Sequence, residues 1–122
     1  MMKRFIFVLI LMLFALPVFA GEYENALKKS DSVFLYLYSS DCRTCKAFDK
    51  IYYDMAKQNN DFEFVRINAD TPYGARLIRK FKGKFVPYII LTNSKTNRSV
   101  NVIHSCVMDE MCLIRALKSF KG

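Results

Sequence analysis

Two cysteines separated by two residues, Cys42-Arg43-Thr44-Cys45, stand where an apolar run gives way to a segment of helical period. The run, Val33-Phe34-Leu35-Tyr36-Leu37-Tyr38, is apolar without alternation, as a strand buried on both faces is. Beyond Asp41, Cys45, Phe48, Tyr52 and Met55 recur at three and four, with Lys46, Asp49, Lys50, Asp54 and Lys57 outside the stripe. This spacing predicts an amphipathic helix ending near Gln58-Asn59-Asn60. A cysteine at a helix N-terminus lies beside unpaired backbone N–H groups and the positive end of the helix dipole. Both stabilise a thiolate, the attacking species in disulfide exchange. Cys42 is therefore expected to be the nucleophile and Cys45 the resolving thiol. Arg43 adds positive charge, Asp41 opposes it, and these two with Thr44 are expected to tune the thiolate.

The remaining periods set the fold. Tyr23, Ala26 and Leu27 predict a short helix over Glu22–Lys29, and Phe62–Ala69 predicts a second strand with Phe62/Phe64 opposite Val65/Ile67. Thr71 is placed as an N-cap with Pro72 at the first helical position, ahead of a stripe of Tyr73, Leu77, Ile78 and Phe81 that Gly83 is expected to stop. Pro87 precedes a third strand, Tyr88–Leu91, and the polar Thr92–Arg98 joins it to a fourth over Ser99–Ile103. A last helix, Asp109–Phe120, turns Leu113, Ala116, Leu117 and Phe120 inward. The order, a leading helix and then βαβαββα, predicts an α/β fold: a central four-stranded mixed sheet flanked by helices on both faces.

Residues 1–20 have a different character. Lys3-Arg4 precede an apolar run, Phe5–Leu16, then Pro17 and Val18-Phe19-Ala20, the pattern of a secretory signal cut after Ala20. An uncleaved anchor is the other reading, although sixteen residues interrupted by a proline are short of the ~20 that span a bilayer. Export would place the domain, residues 21–122, where disulfides persist. Without Lys3 and Arg4 the 102 remaining residues carry a net charge of +6. That composition suits one small globular domain and excludes a repeat array or a disordered tail. Nucleic acid is not expected as a partner of an exported chain, and no stable membrane span is expected after cleavage.

The cysteine spacing also admits other readings. Cys42 and Cys45 could be a passive staple, or half a zinc site completed by Cys106 and Cys112, whose spacing is loose for that role. No metal or other cofactor is expected, and Lys46 stands where haem attachment would need a histidine. Cys106 and Cys112 could form a structural disulfide, remain buried thiols, or act as a second redox pair. His104, the one histidine, is placed on the fourth strand. The basic run Arg76, Arg79, Lys80, Lys82 and Lys84 reads as a solvated helix face or as a patch for an acidic partner.

The buried strand, Ser39-Ser40-Asp41-Cys42-Arg43-Thr44-Cys45-Lys46 and Phe85-Val86-Pro87-Tyr88 together resemble the thioredoxin family across nearly all of Glu22–Gly122. The resemblance implies a thioredoxin-like fold in which Pro87 follows a cis peptide bond facing the cysteines. It further implies that Val86 offers backbone hydrogen bonds to a bound substrate strand. The chain departs from the family in three places. Asp41 replaces the usual tryptophan, Arg43-Thr44 replaces Gly-Pro, and Tyr36 occupies the position of a buried aspartate that accepts the inner thiol's proton. The chain also lacks room for the helical insertion of periplasmic oxidases or the dimerisation domain of isomerases.

The expected activity is thiol–disulfide exchange with protein clients outside the cytoplasm, by a monomer. The compact chain favours the reductase direction, with a membrane-bound redox partner as electron donor. The competing expectation is a redox-inactive binding module that uses the groove beside Pro87.

Overall fold

The strand β1 (Ser32–Tyr38) forms the middle of the protein, and in the computed structural model, which describes residues 21–121, its residues 32–37 are all buried. The signal-like segment 1–20 lies outside the described residues. β2 (Glu63–Asn68) runs parallel to β1 on one side, and β3 (Tyr88–Asn93) runs antiparallel on the other. β4 (Arg98–Asn101) adds antiparallel to β3, giving a mixed sheet of order β2-β1-β3-β4.

Alternate residues of β1 serve two cores. Val33, Leu35 and Leu37 lie beside Val65, Ile67 and Ile90 on one face of the sheet and share a core with Tyr23 and Ala26 of α1 (Glu22–Lys29) and Leu77 of α3 (Pro72–Lys80). Phe34 and Tyr36 face the opposite way, into the stripe Cys45, Phe48, Tyr52 and Met55 of α2 (Arg43–Gln58). Leu113, Leu117 and Phe120 of α5 (Glu110–Lys121) complete this second core. The stripe read from the sequence is thus the face that holds α2, and with it the cysteine pair, against the sheet.

Two helix ends follow local chemistry. Thr71 caps α3, its hydroxyl accepting the N–H of Gly74 at 3.0 Å, with Pro72 at the start of the helix. At the other end Lys82, not Gly83, takes the left-handed conformation, with φ 58°. Its N–H donates to Arg79 and that of Gly83 to Ile78, the paired bonds of a Schellman turn. Gly83 is needed for space: a Cβ there would run into the Tyr88 ring.

The fourth strand is shorter than expected. Instead of continuing to Ile103, the chain leaves the sheet after Asn101 and turns into a short helix, α4 (His104–Val107). His104 therefore starts a helix rather than lying on a strand, and Cys106 is held inside that helix.

Candidate active site

Cys42 is the N-cap of α2, with extended backbone (φ −88°, ψ 109°), and its sulfur accepts the backbone N–H of Cys45 at 3.0 Å. The two cysteines are joined as a disulfide with Cα atoms 5.1 Å apart. Their surroundings differ: Cys42 is half-buried, whereas Cys45 is 1% exposed. No acidic residue occupies the first turn of α2, so nothing within that turn offsets the positive end of the dipole. Asp41, Arg43 and Thr44 are exposed beside the pair, and their side chains make no hydrogen bond or ion pair among the described residues.

Across from Cys42 lies the segment before β3. The carbonyl oxygen of Val86 is 3.7 Å from the Cys42 sulfur, and the Val86–Pro87 peptide bond is cis. Pro87 is buried and Val86 half-buried. The ring of Phe85, 68% exposed, is 6.1 Å from that of His104. An apolar rim thus extends from the cysteine pair across Val86 and Phe85 to α4.

The loop from β1 to α2 is tied to the end of β2. The Ser39 hydroxyl donates to Asp70 at 2.9 Å, the Ser40 N–H reaches the same carboxylate at 3.3 Å, and the Asn68 amide donates to the Ser40 hydroxyl. These contacts fix the approach to Cys42 from the strand side.

Beneath the first turn of α2 lies a polar cluster. The Tyr36 hydroxyl is 2.9 Å from the Cys45 carbonyl and 2.9 Å from Asp49 Oδ1, so one hydrogen faces two acceptors. Arg66 holds Asp49 with two bonds, Nε to Oδ1 at 3.1 Å and a terminal nitrogen to Oδ2 at 3.0 Å. Its guanidinium also lies 3.6 Å from the centre of the Tyr38 ring. Burial, and then the bond to Asp49, push the Tyr36 phenol well above its ordinary range.

The second pair, Cys106 and Cys112, forms its own disulfide between α4 and the first turn of α5, with Cα atoms 5.4 Å apart. Each cysteine is bridged to its near neighbour, so the four sulfurs are not gathered as a zinc site requires. Among the described residues no three His, Cys, Asp or Glu side chains form a group able to hold a metal. Arg76, Arg79 and Lys80 are exposed on α3 and Lys82 and Lys84 in the segment beyond it, with Lys80 over the rings of Tyr23 and Phe81 and Arg76 over Tyr73.

The family description Thioredoxin matches residues 15–111. The chain belongs to the thioredoxin family. Thioredoxin structures share its fold. A mutant thioredoxin from Halobacterium salinarum NRC-1 is similar at TM-score 0.69 and 21% identity, covering 84% of this chain and 87% of that one. The oxidised thioredoxin of Plasmodium falciparum matches at TM-score 0.66 and 13% identity, covering 84% and 93%. Mitochondrial thioredoxin 3 of Saccharomyces cerevisiae, in oxidised form, matches at TM-score 0.66 and 17% identity, covering 80% and 87%. Curated protein sequences give no significant match.

For a thioredoxin-family chain, the structure brings Cys42, Cys45, Val86 and Pro87 together and keeps Cys106–Cys112 as a separate bridge. Asp49, Arg66, Asn68 and Asp70 were not singled out from the sequence. Asp49 had a local signal, being four residues beyond Cys45 and hence on the same side of the helix. Arg66 had none without the β1–β2 register, which pairs it with Tyr36.

Proposed function

We propose that this protein is an extracytoplasmic thiol–disulfide oxidoreductase acting on protein clients, with Cys42 as nucleophile and Cys45 as resolving thiol. The observation that carries this reading is the unequal setting of the two sulfurs. Cys42 is half-buried at the N-cap with the Cys45 N–H directed at its sulfur, and Cys45 is covered behind it. A thiolate on Cys42 would keep that N–H and the dipole as stabilising partners.

In the reductase direction the Cys42 thiolate attacks a client disulfide. A Cys42–client bond forms as the client's S–S bond breaks, and the released client sulfur takes a proton from water. Cys45 then attacks the Cys42 sulfur, its proton passing through water to the second client sulfur as that sulfur leaves, and the Cys42–Cys45 disulfide remains. Two electrons have moved to the client, and an external dithiol must return two to the protein. A membrane-bound dithiol partner suits that role for an exported domain. Val86, opposite Cys42, and Pro87 shape the groove for the client strand, while Asp41, Arg43 and Thr44 tune the outer thiolate. The signal-like residues 1–20 support export; among the described residues no helix is long and apolar enough to cross a membrane.

Insulin reduction by the full chain, with Cys42→Ser and Cys45→Ser beside it, tests the reading. Wild type should precipitate the insulin B chain, Cys42→Ser should be inactive, and Cys45→Ser should accumulate mixed disulfides on Cys42. An inactive wild type that still holds partners would instead identify a redox-inactive binding module. The equilibrium of Cys42–Cys45 with glutathione sets the direction: a potential near the oxidising end of the roughly −270 to −120 mV range would exclude the reductase assignment.

A further inference from the structure

On the side of the sheet away from β2, the edge strand β4 and helix α5 enclose an open groove of about 360 Å³. Its floor is apolar, with Val100 and Val102 from the strand side and Ala116 and Phe120 from α5. The Cys106–Cys112 bridge lines the same groove, where it joins α4 to α5. Arg98 and Arg115 are its cations, and no aspartate or glutamate lines it.

The open edge of β4 carries backbone groups that β3 does not use. The Val102 N–H donates to Ile89 at 2.9 Å, and the register pairs Val100 with Leu91 and Arg98 with Asn93. Alternation in an antiparallel ladder therefore turns the N–H and C=O groups of Ser99 and Asn101 outward. Such an edge is a template for a further strand unless it is covered or blunted.

The charges point to the chemistry of the occupant. Arg98 rests 5.1 Å from the centre of the Phe120 ring, and neither it nor Arg115 forms an ion pair among the described residues. Asp31 and Asp61, which line a depression with Arg98, are bound to Lys95 and Lys121. Two arginines over an apolar floor call for carboxylates on an apolar segment.

We propose that this groove binds an extended, acidic–apolar peptide segment as an added strand on β4. Alternate side chains of the segment would enter the groove, apolar ones over Val100 and Ala116 and carboxylates at Arg98 and Arg115. Backbone bonds to Ser99 and Asn101 supply affinity that does not depend on sequence, and the side-chain pockets supply selectivity. This surface is separate from the chemistry at Cys42, and a probe without cysteine tests it independently.

The probe is the capped heptapeptide Glu-Ser-Leu-Ser-Leu-Ser-Glu, titrated into the isotope-labelled full chain and followed by amide NMR shifts. Saturable shifts should concentrate at Ser99, Asn101, Val102 and Ala116. Replacing both glutamates by lysine should weaken binding, and Arg115→Glu should weaken binding of the glutamate peptide about fivefold, the effect of one rim ion pair. N-methylation of the central residues should abolish the shifts. The proposal fails if no saturable shifts appear at these positions, if Arg115→Glu and Arg98→Gln both leave binding unchanged, or if the N-methylated peptide binds equally well. Octanoate reproducing the same saturable shifts would also overturn it, since that would mark a pocket for apolar anions rather than an edge for a strand.

Discussion

The hydroxyl of Tyr36 lies 2.9 Å from the backbone carbonyl of Cys45, joining the middle of the sheet to the turn of α2 that carries the cysteine pair. The same hydroxyl meets Asp49, which Arg66 grips from β2, so three elements converge beneath the inner cysteine. A carbonyl in the first turn of a helix normally accepts only the N–H four residues on. Here it is also held from below.

Tyr36→Phe keeps the ring, and with it the packing on Phe48 and Tyr52, while removing the hydroxyl. It should cost about 1–2 kcal/mol, because the Cys45 carbonyl and Asp49 each lose a partner while Asp49 keeps Arg66. Urea unfolding monitored by circular dichroism measures this. An unchanged midpoint would mean that the hydroxyl contributes nothing to the stability of the oxidised protein.

At the end of α3, adjacent substitutions should act with opposite signs. Lys82→Gly relieves a left-handed backbone conformation and should stabilise by about 0.5–1 kcal/mol. Gly83→Ala brings a methyl group against the Tyr88 ring and should destabilise. Thermal melts of the two variants would contradict this account if both moved in the same direction.

Cys106→Ala with Cys112→Ala opens a bridge that closes six residues of sequence separation. The chain-entropy argument gives a loss of about 2 kcal/mol for so short a loop. Guanidinium unfolding reads the stability, and insulin reduction reads the exchange activity. On the proposed roles, activity per folded molecule should survive; its disappearance would assign the second pair a redox part.

Alkali should destabilise the fold through its buried tyrosines. Burial and then the hydrogen bond to Glu24 push Tyr73 up to about 12, and burial also raises Tyr36 and Tyr52. The unfolded chain releases these protons near pH 10, whereas the native chain retains them to higher pH. The unfolded state then binds fewer protons, so stability is full below about pH 10 and falls as pH rises towards the native values. Urea midpoints at about pH 9 and 11.5, with phenolate absorbance alongside, check this, and Tyr36→Phe should flatten the decline. A constant midpoint would contradict it.

What could be read from the sequence was whatever is local. The unbroken apolar run became β1, the stripe of Cys45, Phe48, Tyr52 and Met55 became the buried face of α2, and Thr71 became a cap. The Tyr36–Asp49–Arg66 cluster was not legible as a unit, because its contacts span 13 and 17 residues and need both the packing of α2 on β1 and the β1–β2 register that sets Arg66 beside Tyr36. Val102-Ile103 reads as strand by composition, but the chain leaves the sheet there, and the bridge to Cys112 ties the following turn, α4, to the last helix. At the end of α3, Gly83 was expected to stop the helix, but the left-handed turn falls on Lys82, and the Tyr88 ring is what requires glycine at the next position. Sequence preference for a backbone conformation gave way to tertiary space.

The two-sided burial of β1 leaves this strand with no forgiving positions. A library of random substitutions would record residues 33–37 as an unbroken block of intolerance, whereas the exposed edge strand β4 would accept most changes. Within that block the failures would divide by parity. Changes at 34 and 36 would disturb the layer under the cysteine pair, and changes at 33, 35 and 37 would loosen α1 and α3 on the far side.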